Sequence, residues 1–134
     1  MIKIGNKFIK TFPIFAMEQD PFRRLLGAEI VEVRNGYAKL KATVKEEFLN
    51  FHGIAHGGFI MSLLDCAFAI SANTDAMRFA INMNVNFISP ANLGDTIYVE
   101  CEKIKGRRTA FYRLRAFKNE EIIAEGTAIA QARS

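Results

Sequence analysis

The spacing of apolar and polar residues divides the chain into elements of two different periods. Ala28 to Arg34 alternates apolar and charged residues and ends at Asn35-Gly36, the strongest two-residue hairpin signal. Tyr37 to Val44 alternates again, so the two segments are expected to pair as an antiparallel hairpin. From Gly57 to about Thr74 the period changes, and Phe59, Ile60, Met61, Leu63, Leu64, Ala67, Phe68, Ala69 and Ile70 leave the segment apolar nearly all round. A helix hydrophobic on every side is a buried helix, here roughly 27 Å long. Alternation returns at Ala80 to Ser89, with Ile81, Met83, Val85 and Phe87 on one face and Asn82, Asn84 and Asn86 on the other. Thr96 to Ile104 and Thr109 to Phe117 follow, and Ile122 to Gln131 closes the sheet. Upstream, Asp20 as N-cap and Pro21 at the first helical position start a short helix to Leu26, which Gly27 ends.

These elements predict an α+β fold: an antiparallel sheet of about five strands wrapped around one long central helix, with a short N-terminal helix. The 134 residues suit a single domain, with residues 1–19 as an extension and a core of about 20–132. No repeat, linker or low-complexity tract interrupts it. Cys66 and Cys101 form no CxxC pair, sit in apolar segments and read as small core residues, which fits a reducing cytoplasm. Met1 to Met17 lacks the apolar run of a secretory signal, because Lys3, Asn6, Lys7 and Lys10 interrupt it. The longest apolar stretch, Phe59 to Ala72, is too short for a membrane span and carries Asp65, so a soluble protein with no membrane partner is expected. The net charge of +4 is mild, not the signature of a nucleic-acid binder, and equally compatible with a small polyphosphate ligand.

The segment Asn50-Phe-His-Gly-Ile-Ala-His-Gly-Gly-Phe-Ile-Met-Ser-Leu-Leu-Asp65 carries the candidate chemistry. His56-Gly57-Gly58 stands where a loop enters the buried helix, and the two glycines let a ligand approach the backbone closely. The first N–H groups of a helix lack internal acceptors and carry partial positive charge, a ready anion or oxyanion site. Asp65 is an acid in the middle of a hydrophobic helix. Burial of a lone carboxylate raises its pKa or demands a partner, which marks it either for acid–base or nucleophilic work or for a polar gap or a neighbouring subunit. Asp65 lies eight residues after Gly57, about 12 Å along a helix axis. One reaction using both therefore calls for two subunits, a homodimer with shared sites.

Together with Asn82-Met-Asn-Val-Asn-Phe-Ile-Ser-Pro-Ala-Asn-Leu-Gly-Asp95, this segment resembles the hotdog-fold acyl-CoA thioesterases of the phenylacetate-degradation (PaaI-like) type. The resemblance covers roughly residues 20 to 132. It implies that the Gly57 N–H polarises the thioester carbonyl and that Asp65 of the partner subunit activates water or attacks as nucleophile. It also implies that Asn50 orients water or substrate, and that His56 bonds the thioester region or shapes the loop. Some relatives place Ser or Thr at the start of the third strand to assist the water. Here Ala80 stands near that position, with Asn82 two residues on and, in an uninterrupted strand, on the same face. Coenzyme A would enter only as part of the substrate, with no cofactor and no metal, since His52 and His56 lack an obvious third ligand. Lys103, Lys105, Arg107, Arg108, Arg113 and Arg115 form the densest basic stretch. Lys105, Arg107 and Arg108, at a turn, are the candidates for its phosphates, and solvated edge charges are the plainer alternative. Phe59, Met61, Phe68, Phe87 and Phe111 are either acyl-tunnel residues or simple core.

The expected activity is hydrolysis of an acyl- or aryl-acyl-CoA by a homodimer, arranged as a dimer of dimers. Two alternatives share the fold. A hydroxyacyl-thioester dehydratase would pair a His in a Pro-rich loop with a helix carboxylate, but Phe51 to Ala55 contains no Pro. A non-catalytic acyl-CoA sensor would have no need of a buried Asp65.

Overall fold

The structure is a computed structural model that describes residues 2–4, 7–9 and 19–133. The N-terminal extension and its missing secretory run fall largely outside the described residues; within it β1 (Ile2–Ile4) pairs with β2 (Lys7–Ile9). Helix α1 (Pro21–Leu26) starts as its sequence predicts. The Asp20 carboxylate accepts from the N–H of Phe22 at 3.0 Å and of Arg23 at 3.4 Å, and Gly27 closes the helix at φ 70°. β3 (Glu29–Arg34) and β4 (Tyr37–Thr43) form the expected hairpin across Asn35-Gly36. A 3₁₀ turn (Glu46–Phe48) leads to helix α2 (Gly57–Ala72), and β5 (Arg78–Phe87), β6 (Thr96–Gly106), β7 (Thr109–Lys118) and β8 (Glu121–Ala132) follow.

The main sheet has six strands rather than about five, one for each of the six alternating segments of the sequence, all antiparallel neighbours in the order β3-β4-β6-β7-β8-β5. Its inner face meets α2. Ala38, Leu40, Ala42, Ile97, Val99, Cys101, Ala110, Tyr112, Leu114, Ala116, Ala128 and Ala130 are buried there against Leu63, Leu64, Ala67 and Phe68. The many alanines let the sheet close on the helix, and the large helix residues fill the space they leave. Phe68 and Tyr112 meet edge to face at 5.3 Å between ring centroids. Phe59 and Phe68 are thus core residues.

Two surfaces escape this wrapping. α2 is not buried on every side: Gly58, Asp65 and Ala69 form an exposed stripe, with Met61 and Ser62 half-buried beside it. A sheet reaches only part of the way round a helix, and this stripe faces its open side. The second surface is β5, a terminal strand whose apolar residues Phe79, Ile81 and Phe87 are exposed. β5 also departs from simple alternation. Ala80 pairs with Ala130 but Asn82 pairs with Ile129, so Ile81 is the extra residue of a bulge. One inserted residue reverses the faces that follow it. Ala80, Met83, Val85 and Phe87 look inward, whereas Asn82, Asn84 and Asn86 look outward. Asn82 does not share the face of Ala80.

The C-terminal end of α2 is held by a buried arginine. Arg78 donates to the carbonyl of Arg107 through Nε at 3.0 Å and Nη2 at 2.7 Å, and to the Ala72 carbonyl at 3.1 Å. It also pairs with Asp75, which Lys103 Nζ meets at 2.7 Å. Burial by itself would raise the Asp75 carboxyl, but the hydrogen bonds and charges of Arg78 and Lys103 outweigh it and hold the group below its ordinary value. No helix among the described residues is long and apolar enough to cross a membrane.

Arg78→Met leaves the Asp75 carboxylate and the Arg107 carbonyl without this partner. It is expected to cost about 3–5 kcal/mol in denaturant unfolding, as for a broken buried pair. Because the folded pKa of Asp75 is depressed, its contribution is full above the unfolded value of about 3.9 and is lost as pH falls through the folded one. Asp75→Asn is therefore expected to flatten the acid limb of stability against pH while lowering the neutral plateau.

Candidate active site

The loop entering α2 is fixed at nearly every residue. Asn50 Oδ1 accepts from the N–H of His52 at 2.9 Å and of Ile54 at 3.3 Å, while the Asn50 N–H donates to the Ile54 carbonyl at 2.8 Å. Gly53 completes this turn at φ 80°, a backbone region that favours glycine. The Ala55 N–H donates to the Ala91 carbonyl and the His56 N–H to the Phe48 carbonyl, each at 2.8 Å. Phe48 stacks on Phe59, the third residue of the helix, with ring centroids 4.2 Å apart.

His56 is the N-cap of α2, and its Nδ1 accepts from the Gly58 N–H at 2.8 Å. An accepting Nδ1 carries no proton, so in this arrangement the imidazole proton is on Nε2. The His56 carbonyl takes the Phe59 N–H at 3.0 Å and the Ile60 N–H at 3.3 Å. Those three bonds leave the Gly57 N–H without an acceptor among the described residues. The chain thus presents one free donor, aligned with the helix dipole, at Gly57 and not at Gly58.

This donor borders a cleft of about 400 Å³ lined by Asn50, Ala55, Gly57, Ile60, Phe87 and Pro90, among others. The Phe87 ring comes to 3.5 Å from the point a Gly57 Cβ would occupy, so the ring forms a wall of the cleft against that backbone. The segment 88–90 contributes a further wall: the alternation carries the strand to Ser89, whereas the strand ends at Phe87 and Ile88, Ser89 and Pro90 line the cleft. Its part in the cleft arises because the Ile88 N–H is tied to the Ile123 carbonyl at 2.8 Å, a pairing distant in sequence. Asn50 reaches the cleft with its Oδ1 already engaged by the turn, which leaves its amide NH₂ as the group free to face a ligand.

The remaining candidates stand apart from the cleft within one chain. Asp65 is exposed on the open stripe of α2, about 12 Å along the axis from Gly57. Its carboxyl is nevertheless raised above the ordinary range, chiefly by desolvation against the apolar core and secondarily by the charge of Asp20. Asn82 is exposed on the outer face of the sheet and accepts from Asn84 Nδ2 at 2.6 Å. Lys105, Arg107 and Arg108 surround the β6–β7 turn at the Arg78 end of β5. At about 3.3 Å per residue that turn lies roughly 30 Å from the Phe87 end, where the cleft opens. Phe111 is exposed on the outer face, away from the cleft. Cys66 and Cys101 are buried and unbridged, with burial pushing each thiol up to about 12. No group of three His, Cys, Asp or Glu able to hold a metal occurs among the described residues.

With the cleft at the helix N-terminus described, its relatives can be placed. Residues 52–124 match the model of the Thioesterase superfamily, a span that contains His56, Gly57, Asp65, the whole of β5, β6 and β7, and the start of β8. The chain belongs to the thioesterase superfamily. Among superfamily relatives, the acyl-coenzyme A thioesterase PaaI of Escherichia coli is 29% identical over 106 residues, 78% of this chain and 76% of that protein. Its solved structure superimposes with a TM-score of 0.86 over 91% of both chains, at 25% identity. A mutant of the phenylacetic acid degradation protein PaaI from Thermus thermophilus gives a TM-score of 0.83 at 30% identity, over 85% of this chain and all of that one. Human acyl-coenzyme A thioesterase 13 is 29% identical over 116 residues, 84% of this chain and 81% of that protein. The chain is a thioester hydrolase on the hotdog fold.

Two outcomes test the local geometry. His56→Ala removes the cap of α2 and is expected to cost about 1 kcal/mol in urea unfolding, whereas His56→Asn, which supplies another good N-cap, recovers both that stability and most of the turnover. At Asp65 the sign is opposite to that at Asp75. A raised folded pKa means that the ionised form opposes folding above that pKa and that protonation relieves it. Asp65→Asn is therefore expected to melt at or above the wild-type temperature at neutral pH.

Proposed function

We propose that this chain hydrolyses the thioester of an acyl- or aryl-acyl-CoA to the free acid and CoA, at sites shared between the subunits of a homodimer. The observation that carries this is the free Gly57 N–H at the wall of an apolar cleft. A thioester carbonyl accepting from that N–H lies with its developing oxyanion at the positive end of α2. Asp65 of the partner takes a proton from water, which attacks the carbonyl carbon, or attacks it directly and is released by water. In either course the C–S bond breaks, the acid leaves, and the CoA sulfur receives the proton. The NH₂ of Asn50 orients the water or the carbonyl. CoA enters as part of the substrate, and neither metal nor organic cofactor has a role. Asn82, Gly58 and the basic turn of Lys105, Arg107 and Arg108 serve substrate binding.

The homodimer draws support from the two surfaces that the fold leaves open. The outer edge of β5 pairs with no strand among the described residues and lies beside exposed Phe79, Ile81 and Phe87, and the stripe of α2 offers Gly58, Ser62, Asp65 and Ala69, which are small or acidic. An antiparallel β5–β5 seam about a two-fold axis extends the sheet and lays the two helices side by side, with the Arg78 end of one chain next to the Phe87 end of the other. This arrangement turns Asp65 toward the partner's cleft. The outer face of the sheet is left for a dimer of dimers. The whole chain is taken as one domain, and its unbridged cysteines favour the cytoplasm.

The test is thiol release from a panel of acyl-CoAs, acetyl to palmitoyl with phenylacetyl, combined with sedimentation. Wild type is expected to turn over members of the panel as a dimer or larger. Asp65→Asn is expected to lose about 10²–10⁴-fold in kcat with the assembly unchanged. Full activity in Asp65→Asn would remove its chemical role, and an active monomer would remove the shared site.

A further inference from the structure

Asn35-Gly36 forms the turn between β3 and β4, and it is the one Asn-Gly pair in the chain. Every other asparagine is followed by a residue with a side chain. Asn-Gly is also the dipeptide most prone to deamidation, because glycine puts no side chain in the way of its own nitrogen. In that reaction the Gly36 nitrogen, having lost its proton to base, bonds to the side-chain carbonyl carbon of Asn35. The carbon–nitrogen bond of the side-chain amide breaks and ammonia leaves. Water then opens the cyclic imide at either carbonyl. The product is aspartate, or an isoaspartate whose main chain runs through the former side-chain carbon. Water is consumed and ammonia released, with no oxidation or reduction.

The fold treats the two residues differently. Asn35 is exposed, whereas Gly36 is buried. The Gly36 N–H donates to Thr74 Oγ1 at 2.8 Å, and the Thr74 hydroxyl donates in turn to the Ser71 carbonyl at 2.9 Å. That second bond fixes the hydroxyl as the acceptor for Gly36. Thr74 is itself buried and stands just past the end of α2, 38 residues along the chain from Gly36. The Gly36 carbonyl is held as well, by the Lys103 N–H at 2.7 Å, and a Cβ on Gly36 would come 3.1 Å from that of Lys103. The nitrogen that deamidation needs is thus shielded from base, bonded to a neutral acceptor and packed against the next strand.

We propose that Asn35 is a latent deamidation site and that the Thr74 hydroxyl guards it, by holding the Gly36 N–H in the folded chain. The guard protects more than the turn. An isoaspartate adds a carbon to the main chain, which the Gly36–Thr74 and Gly36–Lys103 bonds cannot both accommodate. Lys103 is also the residue that meets Asp75 in the clamp at the end of α2. Either product adds a carboxylate to a groove already lined by Asp75 and Glu102.

The experiment incubates full-length protein in warm, mildly alkaline buffer, follows deamidation at residue 35 by peptide mapping, and measures hydrogen exchange of the Gly36 N–H by NMR. In urea, Asn35 is expected to be the first asparagine of the wild type to react. Folded wild type should react there at least about tenfold more slowly, with the Gly36 N–H protected from exchange. Thr74→Val keeps the shape and removes the acceptor, and should raise the folded rate roughly tenfold, the factor that one hydrogen bond sets, with faster exchange at Gly36. Thr74→Ser keeps the hydroxyl and should behave as wild type. Ile97→Ala, a core truncation at the other end of β6 from Lys103, controls for lost stability: it should melt lower and leave the folded rate at residue 35 unchanged. Another asparagine reacting first in urea overturns the site. Folded wild type reacting as fast as the unfolded chain, rapid exchange at Gly36, or a Thr74→Val rate no higher than that of wild type overturns the guard. Equal acceleration in Ile97→Ala and Thr74→Val assigns the protection to overall stability and overturns it too.

Discussion

The structure depends on wrapping one strongly apolar helix with a single sheet. α2 has too few polar positions to face water on most sides, and burial of apolar surface is the main favourable contribution to folding, at about 25 cal/mol per Å². Six antiparallel strands supply the cover, with alanines on the inner face allowing close approach and Leu63, Leu64 and Phe68 filling the interior. The cover is incomplete by geometry. One stripe of the helix and one edge of the sheet stay open, and the chain places its small residues and Asp65 on the first and exposed apolar residues on the second. These two open surfaces are the ones that the proposed homodimer would cover.

The same helix leaves a hydrogen-bond donor open at its start. Any helix begins with N–H groups that lack internal acceptors, and a loop can use or spare them. Here His56 uses its side chain and its carbonyl to occupy those of Gly58, Phe59 and Ile60, leaving that of Gly57. A donor held this firmly needs no reorganisation when charge develops beside it, which is the condition for electrostatic stabilisation of an oxyanion. Asn50 and Gly53 keep the loop in place, so positions that look catalytic in the sequence also carry structural work.

The cations divide in a similar way. Arg78 is buried and fully engaged, joining the end of α2 to the β6–β7 turn and to Asp75. Just beyond it, on the outer face, Lys105, Arg107, Arg108, Arg113 and Arg133 meet no carboxylate among the described residues. Burial and pairing thus separate neighbouring residues of the same charge.

The sequence by itself determined the class of fold, the hairpin at Asn35-Gly36, the capped start of α1, the long apolar helix and the segment Asn50 to Asp65. Each of these is written in local periodicity or in turn and cap chemistry, which act over a few residues. Tertiary structure alone decided the place of β5 beside β8, the bulge that turns Asn82 away from Ala80, and the exposed stripe around Asp65. It also decided which of two adjacent glycines keeps a free N–H, the role of segment 88–90 as a cleft wall, and the engagement of Arg78 with a carbonyl 29 residues away. These features rest on contacts between segments remote in the chain. Their energies come from register, packing and the competition among donors for one acceptor, none of which a local pattern records.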